Sequence, residues 1–215
     1  RSQTVTGVQT CALPICHVDF DALSALVDAD SPRMVVGTVD VEAGEFDTFE
    51  DEAITADAVL ASAAIPTLFE GVEIRGDLHW DGLFSQNPPV RELMAGNRED
   101  KPDELWVIQI NPQRSDEKPK SLEAIHDRRN ELSGNLSLNQ ELRFIECVND
   151  WIDAGDLDSD RYKHTEIRRI ILDGEFDHSS KLDRDAAFLE DLRERGREEA
   201  SAFLDRVEAD LFQPA

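Results

Sequence analysis

The stretch TADAVLASAAIPTLFEGVEIRGDLHWDGLFSQNPPV, residues 55–90, decides how the rest of the chain is read. Thr55 can cap a short helix, Asp57 to Ala64, whose Ala58, Ala61, Ser62 and Ala64 are small enough to press closely on a sheet. Pro66 stops that helix, and Leu68 and Phe69 supply an apolar anchor. A hairpin follows, with strands Val72 to Ile74 and Leu78 to Trp80 joined at Gly76. Asp81 then stands where a strand ends, and Gly82 lets the backbone turn sharply and leaves the carboxylate unshielded. Such a carboxylate is placed for proton transfer, although Asp-Gly taken alone is a commonplace turn dipeptide.

Outward from this stretch the pattern alternates. On the N-terminal side Phe20, Leu23, Leu26 and Val27 fall at helical spacing before Ser31-Pro32. Met34 to Val41 reads as a buried strand, and Ala43-Gly44 turns it into an antiparallel partner, Glu45 to Phe49. On the C-terminal side Asn87 can brace the turn before Pro88 and Pro89, and Val90, Leu93 and Met94 begin another helix. Leu105 to Ile110 reads as a central strand, Gln113 to Lys120 as a surface loop, and Ser121 to Asp153 as a long helix. That helix carries Leu122, Ile125, Leu132, Leu136, Leu142, Ile145, Val148 and Ile152 on one face, with a break or bend expected near Gly134. Burial against the domain's own sheet and a coiled-coil partner both account for the stripe; polar interruptions spoil a seam and favour the first. Glu166 to Leu172 reads as a strand and Asp185 to Leu211 as a terminal helix, so the chain is an α/β layered fold.

The run A-S-A-A-I-P-x-L-F, a hairpin, and then D-G-x-x-x-x-N-x-P resembles the block of the patatin-like phospholipase family that carries its catalytic aspartate. The resemblance implies a three-layer α/β/α fold with a mostly parallel central sheet, and hydrolysis of lipid or other long-chain esters without metal or organic cofactor. It also implies that Asp81 is the general base of a Ser-Asp dyad. One departure is Leu83, where many members of the family have Gly or Ala; it alters packing beside the carboxylate more than it threatens the base.

The same family places its serine in G-x-S-x-G at a strand-to-helix elbow and draws oxyanion donors from a glycine-rich loop, both before the aspartate. Neither motif occurs in these 215 residues; Gly134-Asn135-Leu136-Ser137 has the wrong spacing, and Ser62 lies in a helix without the exposing turn. Residues 5–15, VTGVQTCALPI, resemble a translated sequencing-adapter remnant. The expected organisation is therefore a foreign leader, residues 1–16, joined to the C-terminal portion of one acyl hydrolase domain, residues 17–215, inert without its serine and incomplete at the N-terminus.

Composition narrows the partners. There are 47 acidic against 22 basic side chains and a formal charge of -25. Such a surface repels phosphate backbones and anionic headgroups, which argues against nucleic acid and against adhesion through a basic patch. Few lysines among many acids suit either a high-salt surface or an ordinary acidic cytoplasmic protein. No apolar run approaches a membrane span. Three cysteines, Cys11, Cys16 and Cys147, favour a reducing compartment, with transient work at a lipid surface implied by the resemblance. Cys147 reads as core filler, and Cys11, Cys16 and His17 lack the second ligand pair of a zinc site.

His79 shares a strand face with Asp81 and invites a Ser-His-Asp triad, but no exposed serine completes it, so His79 reads as a pocket or turn residue. His126, His164 and His178 read as surface groups. Two other functions compete: a catalytically silent module binding a partner through the Ser121 to Asp153 helix, and a serine hydrolase acting on a storage polyester. Oligomeric state has no signature in the sequence.

Overall fold

The computed structural model describes residues 18–20, 22, 32–66, 68–84, 86–110, 114–115, 118–172 and 183–211. The expected leader, Cys11, Cys16, His17, most of the helix read at Phe20 to Val27, part of the Gln113 to Lys120 loop and His178 lie outside them. Contacts divide the chain into two compact units, Arg1–Gly96 with Leu136–Glu141, and Asn97–Asn135 with Leu142–Ala215.

The first unit is built on a four-stranded sheet of β1 (Val35–Asp40), β2 (Glu45–Glu50), β3 (Val72–Ile74) and β4 (Asp77–Asp81), in the order β2-β1-β4-β3. Every neighbouring pair in it is antiparallel. This corrects the expectation of a mostly parallel sheet, and the reason lies in the connections. Four residues join β1 to β2 and two join β3 to β4, whereas a parallel pair needs a crossover of a dozen residues or so. The β3–β4 turn is Arg75-Gly76, with φ of 57° and 100°, the paired left-handed conformation whose twist matches that of the flanking strands. Between the two hairpins lies α1 (Ala56–Ala61), one turn shorter than expected at its C-terminal end. Thr55 caps it, its side chain accepting from the amide of Ala58 at 3.2 Å. Ala58 and Ala61 have no exposed surface and pack with Phe49, Ile54 and Ile74, so the small residues do let the helix lie close on the sheet. A four-residue helix α2 (Val90–Leu93) follows β4.

The second unit contains β5 (Glu104–Gln109), α3 (Leu122–Asp153) apart from its Leu136–Glu141, β6 (Glu166–Ile171) and α4 (Ala186–Leu211). Here the connection between strands is a helix, and β5 and β6 are parallel. The central position expected for β5 is not what the described residues show: it pairs with β6 alone and alternates, with Leu105, Val107 and Gln109 buried and Ile108 exposed. Ser121 caps α3 by accepting from Ala124 at 3.1 Å, and the helix runs unbroken through Gly134, where a break or bend was expected.

The buried line of α3 also differs from the expected stripe. It passes through Glu131, Asn135, Leu138, Leu142 and Ile145, while Leu122, Ile125 and Leu136 are exposed. Two polar side chains occupy that line because each has a partner: Nε2 of Gln109 donates to Oδ1 of Asn135 at 3.0 Å, and Arg128 pairs with Glu131 at 2.9 Å. The start of β6 is fixed by a reciprocal pair, the amide of Thr165 donating to the Asn149 side chain and that side chain donating to the Thr165 carbonyl. On α4, Phe203 and Val207 are buried, and Phe203 meets Trp106 edge-on at 4.9 Å.

Candidate active site

Asp81 is the last residue of β4, opposite the fully buried Thr38 of β1. Three contacts hold this corner. The Asp81 amide donates to the carbonyl of Ala64 at 3.1 Å, tying the end of β4 to the turn after α1. The amide of Leu83 donates to Oδ1 of Asp81 at 2.9 Å, fixing the carboxylate against the short 3-10 helix Gly82–Phe84. The third is steric: a Cβ on Gly82 would lie 3.0 Å from the carbonyl oxygen of Gly37 on β1.

Gly82 is therefore required for a reason other than the expected one. Its φ is not among the positive values of the chain, so it supplies close approach to β1 and not a left-handed turn. Leu83 is buried, and its backbone amide reaches the carboxylate.

Among the described residues the Asp81 carboxylate accepts one hydrogen bond, at Oδ1. Burial pushes the carboxyl up to about 6, against the opposing pull of the Leu83 amide. A carboxylate with one oxygen anchored and an affinity for protons raised toward neutrality can act as a general base.

His79 is buried on the same face of β4, but its ring is turned elsewhere. Nδ1 donates to the carbonyl of Asp77 at 3.0 Å, and Nε2 lies 3.4 Å from Oδ2 of Asp47. The ring meets Phe49 edge-on at 6.1 Å, making His79 part of the packed face and not of a turn. His126 and His164 are exposed, as read from the sequence, and Cys147 is half-buried. Ser62 closes α1 at its C-cap instead of lying in its interior, and its hydroxyl donates to the carbonyl of Val59 at 2.8 Å. Among the described residues no group of three or more His, Cys, Asp and Glu side chains could hold a metal ion.

Two residues that shape the corner went unnoticed in the sequence, Gly37 and Phe46. A Cβ on Gly37 would fall 2.7 Å from the ring tip of Phe46. The signal was there in MVVGTVDV, a glycine interrupting an apolar strand, which marks a bulge or a close approach of backbone.

Residues 24–94, which run from before β1 through α2 and include Asp81, match the model of the patatin-like phospholipase family. No curated protein matches the chain.

Proposed function

We propose that this chain carries the base of a patatin-like lipid acyl hydrolase, in which Asp81 accepts the proton of a serine as that serine attacks an ester carbonyl. The match of residues 24–94 to the family supports the reading at the level of a lipid acyl hydrolase. The observation that carries Asp81 as the base is its geometry: a carboxylate at the end of β4 with one oxygen anchored by the Leu83 amide. The reaction forms an acyl-enzyme as the alcohol leaves, and water then hydrolyses it. No serine in these 215 residues stands in G-x-S-x-G, so the nucleophile is assigned to sequence outside them, and the chain by itself is inactive. The same reading carries the family's three-layer α/β/α arrangement as an expectation for the intact enzyme. Among the described residues no helix is long and apolar enough to cross a membrane, so the substrate is met from the aqueous side or at a lipid surface.

The test is ester turnover by the protein encoded by the complete gene, with and without Asp81→Asn. Loss of about a hundredfold or more in kcat supports the assignment, and undiminished turnover ends it. Profiling phospholipid, acylglycerol and polyester substrates separates a lipid hydrolase from one acting on storage polymers. A second reading, a catalytically silent interaction module, has one observation in its favour: Leu122, Leu136 and Phe144 of α3 are all exposed. It requires that the complete protein resist active-serine phosphonate probes.

A further inference from the structure

The corner that holds Asp81 contains two glycines from distant parts of the chain. On β1 and β2 the register pairs Val39 with Phe46, which places Phe46 diagonally across from Gly37 on one face of the sheet. The register of β1 with β4 pairs Thr38 with Asp81, so that Gly37 and Gly82 are the next residues to meet as β4 ends. The ring of Phe46 occupies the space that a Gly37 side chain would take, at 2.7 and 3.0 Å from its Cβ position. It also lies 3.4 Å from the Cβ position of Gly82. One aromatic ring thus covers both glycines, and beneath it the Gly82 Cα packs on the Gly37 peptide.

We propose that Phe46 is a positioning residue for Asp81, its ring clamping the Gly37–Gly82 contact so that the chain leaves β4 in the direction that presents the carboxylate to the Leu83 amide. The contact between two bare backbones has little dispersion energy of its own. Without the ring the 3-10 helix Gly82–Phe84 is free to lift from β1, taking the Leu83 amide with it. Phe46 sits on β2, two strands removed from the carboxylate, and touches no reacting atom; it acts through the glycines. The catalytic consequence rests on the reading of Asp81 as the base, whereas the clamp does not.

The test uses the 215-residue chain and needs no substrate. Carboxyl carbon-13 titration reports Asp81, and hydrogen exchange reports the Leu83 amide. In Phe46→Ala the Leu83 amide is expected to exchange about tenfold faster or more relative to the β3–β4 ladder amides, and the Asp81 midpoint to fall by about one pH unit as water reaches the carboxylate. Phe46→Leu, which keeps most of the ring's bulk, should restore most of both. Gly37→Ala should disturb both signals in the wild-type background and much less in Phe46→Ala, where its methyl group has room. Ile54→Ala, a core truncation elsewhere in the same unit, should lower stability without moving the Asp81 midpoint. Should Phe46→Ala fail to fold, Phe46→Val removes the ring's reach and retains a strand-forming side chain. An unchanged Asp81 midpoint and Leu83 exchange in either folded variant would overturn the clamp. If the clamp holds while Asp81→Asn leaves ester turnover intact in the complete protein, the base assignment falls and the clamp stands.

Discussion

Burial works against the charge of Asp81, and this has a measurable consequence. A carboxyl raised to about 6 in the folded chain, from an ordinary value of 3.8, binds its proton more tightly folded than unfolded. The sign follows: the protonated form stabilises the fold, fully so below about pH 4, and that contribution is lost as pH rises through about 6. Above that pH the ionised group costs about 1–3 kcal/mol, the lower end applying where water reaches the carboxylate. Asp81→Asn, which keeps the acceptor for the Leu83 amide, is therefore expected to stabilise the chain by that amount at pH 7.5 and to leave it unchanged at pH 4. Urea unfolding of both proteins at the two pH values checks this, and equal stabilities at pH 7.5 would show that burial of Asp81 carries no penalty. A group kept at a cost to stability is what a working site requires. On the proposed reading of Asp81 as the base, kcat/KM of the complete protein should rise with pH through about 6 as the carboxyl deprotonates. Gly82→Ala tests the corner from the other side: its methyl group would meet backbone, not a mobile side chain, and should cost about 1–3 kcal/mol. The position of Asp81 at the end of a strand was legible in the sequence because a strand pattern, an acid and a glycine are adjacent. The true reason for Gly82 was not, because its neighbour Gly37 comes from a different strand, and only the register of β1 with β4 brings them together.

At the level of elements, what could be read depended on how local the cause was. The β3–β4 hairpin and the Thr55 cap are fixed by residues within a few positions of one another, and both stand where the pattern placed them. The small residues of α1 carry a prediction of the same kind. Ala58 has no exposed surface, so Ala58→Leu must push α1 off Phe49 and Ile74, with an expected loss of about 1–3 kcal/mol in urea unfolding. Little or no loss would mean that the helix packs loosely on its sheet. Sheet direction was legible where connections are short, since both hairpins were read from their turns and are antiparallel, whereas the mostly parallel sheet came from the family resemblance alone. The buried line of α3 was misread for a subtler reason. Hydrophobic spacing selects Leu132 and Leu136, whereas the structure buries Glu131 and Asn135, one position away, because Arg128 and Gln109 satisfy them. Polar partners brought by the fold cannot be seen in a periodicity.

For the whole molecule the governing quantity is a formal charge of -25 on 215 residues. The ion pairs of α4 illustrate how little the basic residues offset it: Arg195 pairs with Asp191 at 2.8 Å and Arg197 with Glu194 at 2.9 Å, yet Glu198, Glu199, Asp205 and Glu208 follow on the same helix with only Arg206 among them. All of these pairs are solvent-exposed, where a pair contributes little. Two like charges 10 Å apart in water repel by about 0.4 kcal/mol, and the unfolded chain relieves many such repulsions by expanding. Salt screens the interaction over about 8 Å at physiological strength and about 3 Å at 1 M. Folding stability should therefore climb between 10 mM and 1 M sodium chloride, by a total on the order of a few kcal/mol, with most of the gain complete once the screening length falls below the spacing of surface charges. Sucrose, which strengthens burial by exclusion without screening charge, separates the two effects: it should stabilise the chain similarly at low and at high salt. A urea midpoint that stays level across the salt range would show that the acidic side chains are spaced widely enough not to sense one another, and would leave the composition without a consequence for the fold.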